Sequence, residues 1–208
     1  VTVEVALQSY LTMPHVERGM VVGLFGGSFN PPHDGHRLVA EIALKQLRLD
    51  QLWWMVTPGN PLKSRSILLP LEERIRLSEE LTRNRRIRVT AFEERLQTGF
   101  TAQTIDHVLS RNPGVHFVWI MGADSLKTFH RWQRWRHIAA SLPIAVIDRP
   151  GATLSFLSSP AARALSHSRI DESDAGILAH RTPPRWTFIH GPRSSLSSTA
   201  IRQGTPGN

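Results

Sequence analysis

Two histidines three positions apart, His33 and His36, close the stretch Gly23-Leu24-Phe25-Gly26-Gly27-Ser28-Phe29-Asn30-Pro31-Pro32-His33-Asp34-Gly35-His36. An apolar pair, Val21-Val22, precedes it, and a helical pattern from Arg37 to Leu49 follows. A strand therefore feeds a glycine-rich turn, and the turn feeds a helix start. Gly26 and Gly27 let the backbone approach a ligand and adopt conformations closed to bulkier residues. A helix start offers unpaired N–H groups and the positive end of the peptide dipoles, which suits phosphate. A second set of anion-binding groups lies near the far end, in Leu196-Ser197-Ser198-Thr199-Ala200-Ile201-Arg202. Hydroxyls and N–H groups at the start of a short helix would converge there with Arg202, one turn in, on a single anion. Taken alone a Ser-Ser-Thr run is a common helix cap; in a chain that also carries the histidine stretch it reads as a phosphate grip.

The pattern is neither of the two common phosphate loops. No Gly-Lys-Ser/Thr follows, and the spacing is not Gly-x-Gly-x-x-Gly. The stretch from Gly26 to His36 resembles the Gly-x-Phe-Asp-Pro-x-His-x-Gly-His signature of the nucleotidyltransferase superfamily, and most nearly the bacterial nicotinate-nucleotide adenylyltransferases. Asn30 stands where that signature usually has Asp, so the turn-forming role is kept and the charge is lost. The C-terminal run matches the family's Ile-Ser-Ser-Thr-x-Ile-Arg except at Leu196. The matched segments span about residues 21 to 203.

That resemblance implies adenylyl transfer from ATP to nicotinate mononucleotide, giving deamido-NAD and pyrophosphate. It implies His36, His33 and Arg202 as the catalytic groups. ATP would lie on Gly26, Gly27, Ser28, Phe29, His33, His36, Gly122, Asp124, Ser198, Thr199 and Arg202. The mononucleotide would meet Lys63, Thr101, Thr104, Asp124, Trp132 and Gln133, with Trp132 stacking on the pyridine ring and nearby backbone N–H groups receiving its carboxylate. Mg2+ is the expected cofactor, bound mainly through the ATP phosphates, with no protein ligand assigned. Ordinary alternatives stand beside several of these roles: a solvated loop lysine for Lys63, helix capping for Thr101, Thr104 and Asp124, and core packing for the tryptophans. Phe100 replaces the tyrosine that the family carries before Thr101.

The elements that would position these groups alternate. Strands are expected at 21–25, 52–56, 87–91, 115–120, 144–147 and 186–189. Helices are expected from Asp34, which is a plausible N-cap, and over 71–81, 101–109 and about 161–165. The loop with Lys63 follows the second strand, and Gly122 and Asp124 follow the fourth. Ligands bind beyond the carboxyl ends of strands in open α/β sheets. The reading is a single α/β domain at 20–208, a Rossmann-like parallel sheet with helices on both faces. Residues 1–19 read as a flexible N-terminal extension, and about 152–184 as a variable excursion.

Composition narrows the alternatives. With no cysteine, disulfides, thiol nucleophiles and cysteine-ligated zinc are excluded. No apolar run reaches the ~20 residues of a membrane span, and the first residues lack a signal peptide's pattern, so the expected location is the cytoplasm. The formal charge of +8 comes almost entirely from arginine, since only Lys45, Lys63 and Lys127 are lysines. The charges are scattered, with no polybasic tail, so the excess permits nucleic acid, an acidic membrane surface or small anions without choosing among them. The resemblance implies ATP and nicotinate mononucleotide as partners, with neither nucleic acid nor membrane. Rival readings are a related transferase acting on phosphopantetheine, and a nucleic-acid-binding protein whose affinity falls steeply with salt. No pattern in the chain sets an oligomeric state.

Overall fold

The structure is a computed structural model that describes residues 3–58, 68–96, 99–148, 156 and 158–191. Six strands, β1 (Val21–Gly27), β2 (Gln51–Val56), β3 (Ile87–Thr90), β4 (His116–Gly122), β5 (Ile144–Ile147) and β6 (Trp186–Ile189), form one sheet in the order β3-β2-β1-β4-β5-β6. Every neighbouring pair is parallel. Apart from the edge strand β3 (Ile-Arg-Val-Thr), each strand is a short, largely apolar run, as a sheet covered on both faces requires. Strand periodicity then splits adjacent residues between two cores. Leu24, Trp53, Trp119, Val146 and Phe188 lie in one; Phe25, Trp54, Ile120, Ile147 and Ile189 lie in the other.

Helices cover both faces. α2 (Asp34–Gln46) and α3 (Leu71–Leu81) pack on the second core through Val39, Ala40, Ala43, Leu44 and Ile75. On the first core lie α5 (Thr101–Arg111), α6 (Ala123–Phe129), α7 (Trp135–Ser141) and α8 (Pro160–Ala164), through residues such as Ile105, Leu126, Ile138 and Ala161. A single turn, α4 (Glu93–Leu96), follows β3. The expected helix from Asp34 toward Leu49 stops at Gln46 because Arg48 takes φ 52, the left-handed turn that ends helices.

The expectation of a flexible extension over residues 1–19 is corrected for the part described. Residues 3–10 form α1 (Val3–Tyr10), and the chain then runs past the edge of the sheet. Leu7, Tyr10 and Leu11 pack against the second core, whereas Met13, Val16 and Met20 pack against the first. The Ala91 N–H donates to the Tyr10 carbonyl at 2.7 Å, and the Thr90 hydroxyl reaches the carbonyls of Tyr10 and Thr12. These apolar residues are too widely spaced to show a period, because they meet two faces in turn.

The excursion before β6 is likewise packed where it is described. Ser159 caps α8 by accepting the Ala162 N–H at 3.2 Å. A 3-10 run, Glu172–His180, buries Ala175, Leu178 and Ala179 in the second core. Beside β6, the Ile170 N–H donates to the Trp186 carbonyl at 2.8 Å, and the Thr187 hydroxyl donates to the Ile170 carbonyl.

Candidate active site

The strand order reverses between β1 and β4, the central pair. A crevice opens at such a point, beyond the carboxyl ends of the strands. Phe25 is opposite Ile120 in the register, so Gly26 and Gly27 exit beside Met121 and Gly122. The structure therefore brings the glycine stretch and the Gly122–Asp124 segment to one end of the sheet. Gly26 and Gly27 are ordinary strand residues, and neither has a positive φ. The expected conformational need for glycine is thus corrected to a need for space. A Cβ on Gly26 would lie 3.1 Å from the Trp119 ring and 3.4 Å from Met55. The left-handed residue of this loop is Phe29, at φ 43.

His33, rather than Asp34, is the N-cap of α2. Its Nδ1 accepts the Gly35 N–H at 3.1 Å, and the His36 Nδ1 accepts the His33 N–H at 3.3 Å. This reciprocal cap is the histidine version of a capping box. Asp34, inside the first turn, pairs instead with Arg37 at 2.8 Å. With both Nδ1 atoms accepting backbone N–H groups, each neutral imidazole carries its proton on Nε2. The sequence sets no such tautomer; the cap does. The two rings lie 3.8 Å apart, centroid to centroid. Around His36 stand Phe29, edge-on at 5.0 Å, and Phe25 and Trp54 at 6.4 and 6.2 Å.

Gly122 is the N-cap of α6, with ordinary extended angles, so Asp124 is not the cap; its side chain is exposed in the first helical turn. Trp132, between α6 and α7, is half-buried and meets Phe129 at 5.4 Å and Trp119 at 6.2 Å, both edge-to-face. Its backbone N–H donates to the Phe129 carbonyl at 2.9 Å. Gln133 beside it is exposed. Trp135 packs on Phe129.

The two threonines of α5 separate. Phe100 is the N-cap, without a side-chain bond, so neither threonine caps the helix. Thr101 is half-buried at the helix start. Thr104 is fully buried, at 0 % exposure, so the expected ligand contact through its hydroxyl is not available in this arrangement. It turns inward because it shares a face with Ala102, Ile105 and Val108. Glu93 lies beside it at 6 % exposure. Burial pushes the Glu93 carboxyl up to about 7, offset in part by the Thr104 hydroxyl, which stops short of a well-formed hydrogen bond.

Lys63, Ser198, Thr199 and Arg202 lie outside the described residues.

Arg74 escaped the sequence reading. It is 2 % exposed, and it reaches three carbonyls: Ser28 at 2.8 Å, Thr57 at 2.7 Å and Leu69 at 3.0 Å. Burial pulls its guanidinium below the ordinary arginine value, against the fields of Glu94 and Glu72. The Leu69 N–H in turn donates to the Asn30 Oδ1 at 2.9 Å, which gives the amide at position 30 a structural partner. The available signal was position: Leu71, Arg74, Ile75 and Ser78 form one helical face, and an arginine there must be buried.

A serine–histidine–aspartate set also occurs, but with the wrong geometry for a triad. Asp106 and Ser141 both approach Nε2 of His137, at 2.6 and 3.5 Å, so the ring cannot hold the acid with one nitrogen and the hydroxyl with the other.

A doubly wound sheet with two imidazole donors at its switch point defines the class, a nucleotide-handling α/β protein. The chain belongs to the Cytidylyltransferase-like family, whose model matches residues 24–204. Within it, the chain groups with nicotinate-nucleotide adenylyltransferases. The probable nicotinate-nucleotide adenylyltransferase of Rhizobium johnstonii is 69% identical over 193 residues, 93% of this chain and 97% of its own. That of Mesorhizobium japonicum is 67% identical over 195 residues, 94% of this chain and 100% of its own. Among solved structures, the nicotinic acid mononucleotide adenylyltransferase of Plasmodium falciparum, complexed with NaAD, aligns at a TM-score of 0.65. That alignment covers 88% of this chain and 83% of the other at 16% identity, a likeness of fold.

Proposed function

We propose that this chain transfers AMP from ATP to nicotinate mononucleotide, giving nicotinate adenine dinucleotide and pyrophosphate, a step of NAD biosynthesis carried out in the cytoplasm. A phosphate oxygen of the mononucleotide attacks the α-phosphorus of ATP, and the bond from that phosphorus to the bridging oxygen of pyrophosphate breaks. The attacking monoester has a second pKa of about 6, so it is already ionised and requires neither a general base nor an enzyme nucleophile. The work left to the protein is alignment of two anions and stabilisation of charge on the transferring phosphoryl group.

One observation carries this reading: the Nδ1 atoms of His33 and His36 are held by backbone N–H groups, which makes both rings Nε2–H donors beside the exits of β1 and β4. Donors suit phosphate oxygens. We assign His36 the larger share in the transition state and His33 a ground-state contact. Gly26, Gly27, Ser28 and Phe29 form the wall for the triphosphate, with Gly122 and Asp124 at the ribose. Trp132 provides the flat face for the pyridine ring. The Gln133 N–H, which has no acceptor among the described residues, is the donor for its carboxylate. Thr101 completes that side, and Lys63, Ser198, Thr199 and Arg202 keep their proposed phosphate contacts.

Nucleotidyltransferases typically use a divalent metal, and we take it to be Mg2+. We take the ion to be carried by the nucleotide's own oxygens, with no protein ligand assigned. Bound there, it neutralises charge on the leaving pyrophosphate.

The deciding assay measures pyrophosphate release from ATP with nicotinate mononucleotide, nicotinamide mononucleotide and phosphopantetheine under equal conditions. The nicotinate compound is expected to be fastest. Absence of release with both mononucleotides would sink the proposal.

A further inference from the structure

We propose that Arg74 is a positioning residue for the histidine pair, acting through the peptide that leads into Phe29. The inference rests on the adenylyl-transfer reading.

The loop between β1 and α2 contains one strained residue. Phe29 has φ 43, a left-handed conformation that costs about 1–2 kcal/mol for a residue with a Cβ. Such a conformation persists where its surroundings hold it. Two bonds bracket it. Arg74 donates to the Ser28 carbonyl, part of the peptide unit entering Phe29, and Asn30, the next residue, accepts from the Leu69 N–H. Leu69 is itself gripped at its carbonyl by Arg74, so both bonds return to one guanidinium. The third bond, to the Thr57 carbonyl, ties this point to the exit of β2. A planar fork of donors serves three carbonyls in a way that a single ammonium does not.

The consequence reaches the reacting end through the ring of Phe29. It stacks on Trp54 at 4.3 Å with 24° between the planes, and it meets His36 edge-on at 5.0 Å. Without the bracket, Phe29 is free to relax out of the left-handed region and withdraw its ring from His36. Among the described residues Arg74 forms no ion pair, and a buried cation without a carboxylate is a poor substitute for an apolar side chain of similar volume.

The test compares wild type with Arg74→Met, Arg74→Lys and Phe29→Leu. Each protein is measured for kcat by pyrophosphate release and for ATP-binding stoichiometry by calorimetry, well below its melting temperature. Arg74→Met is expected to bind ATP at wild-type stoichiometry while its kcat falls by between ~10- and ~100-fold, the scale of a misplaced reacting group. Arg74→Lys should recover part of that loss. Phe29→Leu should lower kcat by a similar factor, and the Arg74→Met/Phe29→Leu pair should lose less than the product of the two. A folded Arg74→Met with kcat within about threefold of wild type would overturn the proposal, as would stoichiometry and kcat falling in parallel. If both Arg74 variants fail to fold, Phe29→Leu decides: kcat within about threefold of wild type overturns it. No turnover by wild type with nicotinate mononucleotide would count against the function, whereas an active wild type with unaffected variants would count only against Arg74.

Discussion

The His33 N–H donates to Nδ1 of His36 across 3.3 Å, so the backbone of one histidine sets the tautomer of the other. The catalytic donor and the helix cap are therefore one structure. Asparagine at position 36 separates the two, since its amide oxygen can replace Nδ1 as acceptor while nothing replaces Nε2–H. His36→Asn should melt close to wild type and lose at least ~10²-fold in kcat, the scale of one transition-state donor. A His36→Asn enzyme turning over within about threefold of wild type would remove His36 from its role.

Trp132 has packing partners on two sides, Phe129 and Trp119, and a half-exposed remainder. If that remainder stacks on the pyridine ring, Trp132→Ala should raise KM for nicotinate mononucleotide by ~10-fold or more, about 1.4 kcal/mol of lost contact. KM for ATP should stay within about threefold. Equal rises in both constants would mean that the tryptophan supports the fold and touches neither substrate.

Glu93 gives stability a pH dependence of definite sign. Its carboxyl titrates near 7 when folded, against an ordinary 4.5. Well below pH 4.5 both states are protonated, and the burial imposes no charge penalty. Through the window from 4.5 to 7 the unfolded chain has released a proton that the folded chain retains, so stability falls as pH rises and the full penalty is present above 7. Glu93→Gln removes this dependence. Its advantage over wild type in thermal melts should be near zero at pH 4 and grow toward at most about 3 kcal/mol at pH 8. A difference that is the same at both pH values would show that no buried charge resides there.

Removal of residues 1–12 takes away the carbonyl that accepts the Ala91 N–H and the apolar contacts of Leu7, Tyr10 and Leu11. A loss of roughly 2–4 kcal/mol is expected from the Ala91 N–H bond, the Thr90 hydroxyl's contacts with the Tyr10 and Thr12 carbonyls and three partly buried side chains. Differential scanning calorimetry should register it as a fall of about 5–10 °C. An unchanged melting temperature would make the segment's docking energetically idle.

The sheet was legible because its strands are buried on both faces. Ile144–Ile147 is a continuous apolar run and Trp186–Ile189 is broken only by Thr187, and the bounds of both agree with the expectation. The glycine–histidine stretch was legible as chemistry because few other roles call for that combination after a strand. What a linear reading missed depends on which way a side chain turns. Asp34 is the better N-cap by type, yet His33 takes the position because the chain's path after Pro32 puts its ring over the Gly35 N–H. Thr104 looked like a ligand contact, but the apolar face of α5 carries it into the core. Arg74 reads as one of many surface arginines until the loops it joins are folded around it.

The residue 10–12 segment at the end of β3 and the Ile170 segment beside β6 have a further effect at the two flanks of the sheet. An outermost strand with bare N–H and C=O groups invites a stranger's strand to extend it. Here, chain from positions 10–12 occupies the C-terminal end of one flank, and Ile170 bonds along the other. Strand addition therefore meets an obstacle at the C-terminal end of β3 and along β6.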